Sequence, residues 1–343
     1  MKPATPPSQP RVIGGRRRVT AGRLGALALC IILAACIGSL PWTLAQVSRD
    51  GIEQKRFELA HLDGFLLPPS WAWHAADERE RRADAGHPVA LLGTDRLGRD
   101  LASRCMVGGC FSLLIGAAAA AIAVCIGASW GMIAGYAGGR VDAILMRIVD
   151  VLYGLPYILL VVLLAVAVDS GIEAFEASGR RGWLAEFVLS HRGGVNIFTL
   201  VIAIGAVSWL TMARVVRGQM QSLRQRPFVE AARAIGVPTH VILRRHLLPN
   251  LLGPIIVFAT LAIPQAILQE SFLSFLGIGV KPPLPSWGNL AAEGLAELNP
   301  VRSRWWLLLW PCLLLAITLL SLNLVGDSLR EAFDPRRQLR AQA

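Results

Sequence analysis

The sequence predicts an all-α integral membrane protein with six transmembrane helices. Hydrophobic residues make up 54% of its 343 residues and charged residues only 17%, so there is too little charge to cover the core of a soluble domain of this size. Six apolar stretches reach the length of about 20 residues that a helix needs to cross the hydrocarbon layer. None of them alternates apolar and polar residues as a membrane barrel strand does, so helices are the structure that satisfies their backbone hydrogen bonds in lipid.

The predicted spans are separated by segments that carry nearly all of the charge. Their approximate bounds are Leu24–Ala45, Cys110–Tyr136, Ile144–Val168, Ile197–Met220, Leu251–Leu276 and Trp305–Val325. The chain then divides into a basic N-terminal tail (1–23), the first span (24–45), an extracytoplasmic segment (46–109), a core of five helices (110–326) and a C-terminal tail (327–343). The second span has a face of small residues that predicts close contact with another helix; its glycines are Gly116, Gly127, Gly131 and Gly135.

The placement of arginine and lysine predicts that both termini lie in the cytoplasm. With the N-terminus inside, the inner segments carry nineteen basic and six acidic residues, whereas the outer segments carry fifteen basic and sixteen acidic residues. An excess of positive charge on the cytoplasmic side is the distribution that orients membrane proteins, and the opposite orientation would invert it. Arg16–Arg18 before an apolar run also resembles a cleavable signal, but that run continues past Cys36 to Trp42, as in a retained span.

The chain lacks the sequence motifs of an enzyme or of a nucleotide-binding subunit. A phosphate-binding P-loop needs a lysine followed by serine or threonine, whereas Lys2, Lys55 and Lys281 are followed by Pro, Arg and Pro. The cysteines and histidines are scattered without metal-ligand spacing. The net charge of +11 is spread in short runs between apolar segments, which argues against a nucleic-acid reader. We therefore predict no catalytic site, no metal site and no cofactor held by this chain.

Glu270 is the clearest ionisable residue inside a predicted span, in the sequence Gln269-Glu270-Ser271. A carboxylate at the centre of a membrane helix costs about 2.5–3.5 kcal/mol, so it needs water, hydrogen-bond partners or a function. Three interpretations stay open: contact with water or neighbouring helices near the outer interface, a role in the translocation path or a gate, and proton coupling. Proton coupling would require several such groups, and the other spans offer no comparable set.

The segment 226–250, RPFVEAARAIGVPTHVILRRHLLPN, is too polar to span and predicts a helical hairpin on the cytoplasmic surface. Pro227 suits the first turn of a helix, and the Glu230 carboxylate then favours the helix dipole. Gly236 can end this helix in a left-handed conformation, Pro238 prevents its continuation, and a second helix over Thr239–Leu247 leads to the fifth span. The first helix presents small side chains over which a partner's groove can close, namely Ala231, Ala232 and Ala234; the alternative is an ordinary interfacial helix.

The same segment carries a family resemblance. Its Glu-Ala-Ala sequence at 230–232, followed by a glycine and then by Leu-Pro, is similar to the EAA loop of ATP-binding-cassette (ABC) importer permeases. In that family the loop is the coupling helix that inserts into a cleft on the ATPase subunit. The resemblance implies this ATPase-coupling role for Glu230, Ala231, Ala232, Gly236, Leu248 and Pro249. The pattern departs at one position, because His246 stands where the family has isoleucine.

Further motifs narrow the resemblance to the peptide-type permeases. A GTDxxGRD segment typical of those proteins is matched by Gly93, Thr94, Asp95, Gly98, Arg99 and Asp100. The sequences PSWGN at 285–289 and NLVGD at 323–327 also resemble that family, and the matches run in order over about residues 90–335. The pattern is similar to the second, or C-type, permease of dipeptide and oligopeptide importers, and it implies the type I ABC importer permease fold.

The resemblance also implies an assembly. This chain would pair with a homologous but distinct permease, two ABC ATPase subunits holding ATP and Mg²⁺ would bind inside, and an extracytoplasmic substrate-binding protein would deliver the substrate. The chain itself, a non-enzymatic subunit of a bacterial inner membrane, would form half of the pathway for di- and oligopeptides. The alternatives are nickel or another peptide-like solute as substrate, and an ion-coupled secondary transporter, which would need buried ionisable groups and often repeated halves.

Overall fold

The computed structural model describes residues 14–49, 52–61, 64–72, 90–177, 192–298 and 303–332. The helices in these ranges are α1 (Gly14–Thr43), α2 (Leu101–Ala137), α3 (Gly139–Tyr153), α4 (Tyr157–Ala177), α5 (Arg192–Arg224), α6 (Pro227–Ala234), α7 (Leu248–Phe275), α8 (Trp287–Ala296) and α9 (Trp305–Ala332). Two antiparallel strands, β1 (Gln46–Arg49) and β2 (Ile52–Lys55), follow α1. Six of the described helices, α1, α2, α4, α5, α7 and α9, are long and apolar enough to cross a membrane, which confirms the predicted number of spans.

The membrane helices extend beyond the spans that hydropathy predicts. For example, the first begins at Gly14, the second begins at Leu101, and the last continues to Ala332. The spans predicted to begin at residues 24 and 110 and to end at residue 325 are therefore shorter than the helices that contain them. Hydropathy marks only the part of a helix that lies in hydrocarbon, whereas backbone hydrogen bonding continues into the polar turns on either side. The predicted tails at 1–13 and 333–343 lie outside the described residues.

The third predicted span is two helices rather than one. α3 ends at Tyr153 and α4 begins at Tyr157, with a turn over residues 154–156 between them. Pro156 explains the break, because proline lacks the N–H that would continue the helix and forces the preceding residue toward extended backbone. The helix of this region that is long and apolar enough to cross a membrane is α4, over Tyr157–Ala174.

The fifth span is longer than predicted because it includes the second helix of the hairpin. A helical turn at Thr239–Val241 continues through π-helical turns at Ile242–Leu247 into α7 without interruption. In the π segment the Leu248 N–H donates to the Leu243 carbonyl, five residues back. This wider turn accommodates Pro249, which has no N–H to donate. The hairpin is thus joined rigidly to a membrane helix.

The small-residue face of α2 packs as predicted, but against two partners. A Cβ atom added at Gly131 would lie 2.5 Å from the carbonyl oxygen of Ala213, and one at Gly135 would lie 2.7 Å from the Cβ of Met220, both on α5. Gly116 instead faces α7, where an added Cβ would lie 2.2 Å from the Cγ1 of Ile267. Such close backbone approach is how membrane helices gain packing energy without a hydrophobic driving force between them.

The termini of the described chain lie at one end of the helical bundle. Gly22, near the start of α1, packs on Ser328, near the end of α9. At the other end, Gly294 of α8 packs on Leu307 at the start of α9, and the segment around Gly93 packs on Trp306. The assignment of the first end to the cytoplasm rests on the distribution of charge and stays a prediction.

Candidate functional site

The hairpin at 226–250 is fixed to the membrane helices by buried apolar side chains. Val229 and Ala232 of α6 are 0% and 6% exposed, and they share one hydrophobic cluster with Met220 of α5 and with Ile242 and Leu247. Because these side chains come from the end of α5, from α6 and from the beginning of the fifth span, α6 cannot move without moving the helices on both sides of it.

The opposite face of α6 is exposed and differs from the predicted alanine face. Ala232 points into the cluster, so the exposed small residues are Ala231 and Ala234. Two large apolar side chains extend this surface, Phe228 at 42% and Ile235 at 80% exposure. An apolar side chain so exposed at the tip of a polar hairpin is a feature of surfaces that bind another protein.

Glu230 lies in the first turn of α6 on this exposed surface. Within the described part of the chain, its carboxylate has neither a hydrogen-bond nor an ion-pair partner. It complements the partial positive charge at the start of α6. The carboxylate is therefore available to a positively charged or hydrogen-bond-donating group of a partner protein.

Gly236 ends α6 as the sequence predicts. Its backbone has φ of +78°, its N–H donates to the Arg233 carbonyl, and the Val237 N–H donates to the Ala232 carbonyl. These two bonds are the Schellman arrangement that closes a helix, and the left-handed residue it requires is usually glycine. A Cβ added at Gly236 would meet no atom within 4 Å, so the constraint is conformational rather than steric.

The two other predicted coupling residues, Leu248 and Pro249, begin α7 directly after the π-helical turns. Leu248 is half-buried and Pro249 is exposed. His246, at the position where the family pattern has isoleucine, lies with its ring centroid 6.5 Å from that of Phe228. At this position the hairpin therefore has a contact between two aromatic rings, whereas the family pattern has an aliphatic side chain.

Arginine side chains connect the hairpin end of the bundle. Arg233 of α6 lies over the Tyr136 ring at 5.1 Å from its centroid, and Arg224 donates to the Tyr136 carbonyl at 2.8 Å. Arg217 of α5 makes two hydrogen bonds to the Asp142 carboxylate of α3, one of 2.6 Å between Nη2 and Oδ2. These contacts connect α2, α3, α5 and α6 at the end where the hairpin lies.

The GTDxxGRD segment forms a buried ionic network at the opposite end. The Asp95 carboxylate accepts from Arg99 Nε at 2.7 Å and from Arg104 Nη1 at 2.6 Å. The Arg104 guanidinium, 3% exposed, also donates twice to Glu293 of α8, at 2.6 and 3.0 Å. A guanidinium so buried needs these carboxylate partners, because a lone buried charge is costly, although its Nε has no hydrogen-bond partner among the described residues.

Backbone geometry explains the glycines of this segment. Gly93 and Gly98 have φ of +90° and +71°. A Cβ at Gly98 would lie 1.8 Å from the His61 carbonyl oxygen, and one at Gly93 would lie 2.7 Å from Cδ1 of Trp306. Both positions therefore exclude any side chain, on conformational and on steric grounds.

The remaining polar residues of the segment satisfy backbone groups. The Thr94 hydroxyl donates to the Gly64 carbonyl at 2.7 Å and accepts from the Leu67 N–H at 2.8 Å. The Asp100 carboxylate accepts from the Ser103 N–H and hydroxyl, which caps the start of α2. The segment is a structural joint between the strand-containing region, α2, α8 and α9.

Glu270 is fully buried among hydroxyl groups. Its carboxylate accepts from the Ser274 hydroxyl at 2.7 Å and from the Ser271 hydroxyl at 3.2 Å, and Ser112 of α2 and Ser286 before α8 also hydrogen-bond to it. Of the interpretation that joined water with neighbouring helices, the structure has the hydrogen bonds, on a residue that is 0% exposed. Its role in the translocation path or a gate stays a prediction.

Sequence reasoning missed a group of uncharged polar residues that meet where the third span is broken. They are Tyr157, Ser208, Thr211, Gln265 and Gln269. Glutamine is unusual within an apolar span, so Gln265 and Gln269 were a visible signal in the sequence. A search for ionisable residues alone overlooks them.

The chain is similar to bacterial transport proteins over most of its length. The profile of the family described as "Binding-protein-dependent transport system inner membrane component" matches residues 127–339. The dipeptide transport system permease protein DppC of Bacillus subtilis (strain 168) is 39% identical over 280 residues, which cover 82% of this chain and 78% of that protein. The oligopeptide transport system permease protein OppC is 43% identical over 246 residues in Haemophilus influenzae, covering 72% of this chain and 70% of that protein, and 42% identical over 255 residues in Escherichia coli (strain K12), covering 74% of each.

Proposed function

Because the chain belongs to the family of binding-protein-dependent transport system inner membrane components, we propose that it is the permease subunit of an ABC importer whose hairpin at 226–250 couples ATPase motion to the membrane helices. The exposed face of α6 carries this proposal. It combines the unpaired Glu230 carboxylate with the exposed side chain of Ile235 on a helix whose other face is anchored in the bundle.

The substrates in this proposal are di- and oligopeptides. The support is that relatives named as dipeptide and oligopeptide permeases match more than two thirds of this chain and of their own length. The membrane is the inner membrane of a bacterium, since these relatives are bacterial proteins.

The partners follow from what the chain lacks and from what the family requires. A homologous second permease supplies the other half of the pathway, and an extracytoplasmic binding protein delivers the peptide. Two ABC ATPase subunits bind and hydrolyse ATP with Mg²⁺, since this chain contains no P-loop. The chain itself is a lever and a channel wall, and it performs no covalent chemistry.

Transmission of movement through the hairpin is mechanical. When the ATPase subunits close, they displace α6, and the cluster around Val229 and Leu247 carries the displacement into α5 and α7. Closely packed interiors transmit such a shift as a rigid-body change rather than absorbing it. The bundle then changes between inward-facing and outward-facing arrangements, each stabilised by a different state of the ATPases.

The test is ATP-dependent uptake of a labelled tripeptide by the complete transporter, co-purified with its partner subunits and placed in liposomes. Glu230→Lys reverses the charge that faces the ATPase, and we expect uptake to fall about tenfold or more, since juxtaposed like charges cost several kcal/mol. The matched control is Glu173→Lys, which makes the same reversal at an exposed position of α4 and should leave uptake unchanged.

Equal uptake by the Glu230→Lys variant and the wild type would contradict the coupling role of the hairpin. Absence of ATP-dependent peptide uptake by the wild-type assembly, with its ATPase active, would contradict the peptide substrate.

A further inference from the structure

A cavity of about 360 Å³ opens where the third predicted span is broken. The turn between α3 and α4, the middle of α5 and the outer half of α7 form its walls. Its lining includes six uncharged polar side chains, and none of the described residues that line it is charged; the six are Tyr153, Tyr157, Ser208, Thr211, Gln265 and Gln269. The volume lies in the range of pockets that hold small ligands.

The polar side chains of this cavity lie deep in the membrane region. Ser208 and Gln265 each lie ten or more residues from both ends of α5 and α7, which places them about 15 Å or more along the helix from either end. The Tyr157 hydroxyl hydrogen-bonds to the Ser208 hydroxyl at 2.8 Å and to the Gln269 carboxamide oxygen, so the three spans meet at one depth.

Two of these residues have polar groups that are exposed and unsatisfied. The side chains of Thr211 and Gln265 are exposed, and within the described part of the chain neither has a hydrogen-bond partner. A carboxamide turned toward hydrocarbon without a partner costs several kcal/mol. By contrast, Ile256, nine residues before Gln265 and therefore on the opposite side of α7, is 40% exposed and fully apolar. The face that carries Thr211 and Gln265 therefore contacts a polar environment within the assembly rather than lipid.

Broken membrane helices with exposed polar groups are where transporters contact their substrates. The nearest charged group shows that this cavity has no free charge to offer: Arg214 stacks on the Tyr153 ring at 4.0 Å and is paired with Asp150 at 2.8 Å.

We infer that the cluster of Tyr157, Ser208, Thr211, Gln265 and Gln269 is a subsite of the translocation pathway that binds the backbone amide groups of the passing peptide; the inference rests on the proposed function. Carboxamide and hydroxyl side chains both donate and accept hydrogen bonds, as peptide N–H and C=O groups do. An uncharged lining contacts the backbone groups that all peptides share, and it does not hold any peptide side chain by its charge. The pathway is therefore tolerant of peptide sequence.

Charge substitutions at Gln265 test the subsite in the complete transporter in liposomes. The probes are three tripeptides with alanine, lysine or glutamate as the central residue, and the readout is the ratio of kcat/KM for the lysine and glutamate peptides. Gln265→Glu should raise this ratio about tenfold and Gln265→Lys should lower it about tenfold, because a new charge within a few ångströms of the substrate attracts one and repels the other. Ile256→Ala, on the opposite and apolar side of the same helix, should leave the ratio unchanged.

A second pair of variants, Thr211→Asp and Thr211→Lys, should shift the ratio in the same two directions. If the acidic and basic variants shift the ratio in the same direction, or do not shift it, while the wild-type transporter is active, the subsite is overturned and the proposed function stands. Loss of the second permease from the purified complex in both pairs would also overturn it, because the face would then be a packing surface between permeases. A wild type without ATP-dependent peptide uptake would instead refute the proposed function.

Discussion

Two glycines with left-handed backbone illustrate how one residue type serves two purposes in this molecule. Gly98 and Gly236 have φ of +71° and +78°. Gly98 lies against the His61 carbonyl, where no side-chain atom fits, whereas open space surrounds Gly236. The first glycine therefore holds together the joint that the GTDxxGRD segment forms, and the second shapes the end of α6 on the hairpin.

The two glycines therefore predict different outcomes for the same substitution. Gly236→Ala should cost about 1–2 kcal/mol, the price of placing an L side chain in left-handed backbone. Gly98→Ala carries this cost and also forces an atom to within 1.8 Å of a carbonyl oxygen. Its thermal unfolding midpoint in detergent, followed by tryptophan fluorescence, should therefore fall well below that of Gly236→Ala. Equal midpoints for the two variants would show that the close approach at Gly98 is absent.

Two buried charged side chains of the described residues, Arg104 and Glu270, are each surrounded by several hydrogen-bond partners. Arg104 meets Asp95 and Glu293, and Glu270 meets the hydroxyls of Ser271 and Ser274. Satisfying a buried charge in this way avoids a penalty of several kcal/mol rather than adding stability. We therefore regard both groups as fixing how α2, α7 and α8 meet.

At the scale of elements, ion pairs position α3 against α5. It carries Asp142 and Asp150, which bind Arg217 and Arg214 of α5. Its far end is the break that opens the polar cavity. The alignment of α3 on α5 therefore determines the shape of the subsite proposed above.

The pairing between α3 and α5 can be measured with a double-mutant cycle. Asp142→Ala, Arg217→Ala and the double variant should yield an interaction energy of about 1–2 kcal/mol in thermal unfolding, since a two-bond guanidinium–carboxylate pair is stronger than a single exposed contact. The same cycle at Asp150 and Arg214, which are 58% and 39% exposed as side chains, should yield less than about 1 kcal/mol. A larger interaction energy for Asp150 and Arg214 than for Asp142 and Arg217 would contradict this packing of α3 on α5.

At the scale of the whole molecule, functional features separate to the two ends of the bundle. The hairpin with α6 lies at one end, and the ionic joint around Asp95 with α8 lies at the other. Between them, the helices form the wall that contains the polar cavity. A movement imposed on the hairpin must pass through α5 and α7, which line that cavity, before it reaches the outer end.

The sequence was sufficient for features that depend on local composition. Apolar length predicts six spans, and Pro227 with Gly236 predicts the bounds of α6, because capping and hydropathy act over a few residues. It was insufficient for contacts that the fold creates between distant segments. Arg104 and Glu293 are 189 positions apart, and nothing local marks them as a pair. The break at Pro156 was visible, but a proline within an apolar run predicts either a kink or an interruption, and tertiary packing decides which.

The central claim, that α6 docks on an ATPase, is tested most directly by photo-cross-linking. A photoreactive benzoylphenylalanine at Ile235, at the exposed tip of the hairpin, should cross-link to an ATPase subunit in membranes that contain the complete transporter. The same residue at Leu295, exposed at the end of α8, should not, because it lies at the opposite end of the bundle. Cross-linking of the ATPase from Leu295 and none from Ile235 would contradict the account.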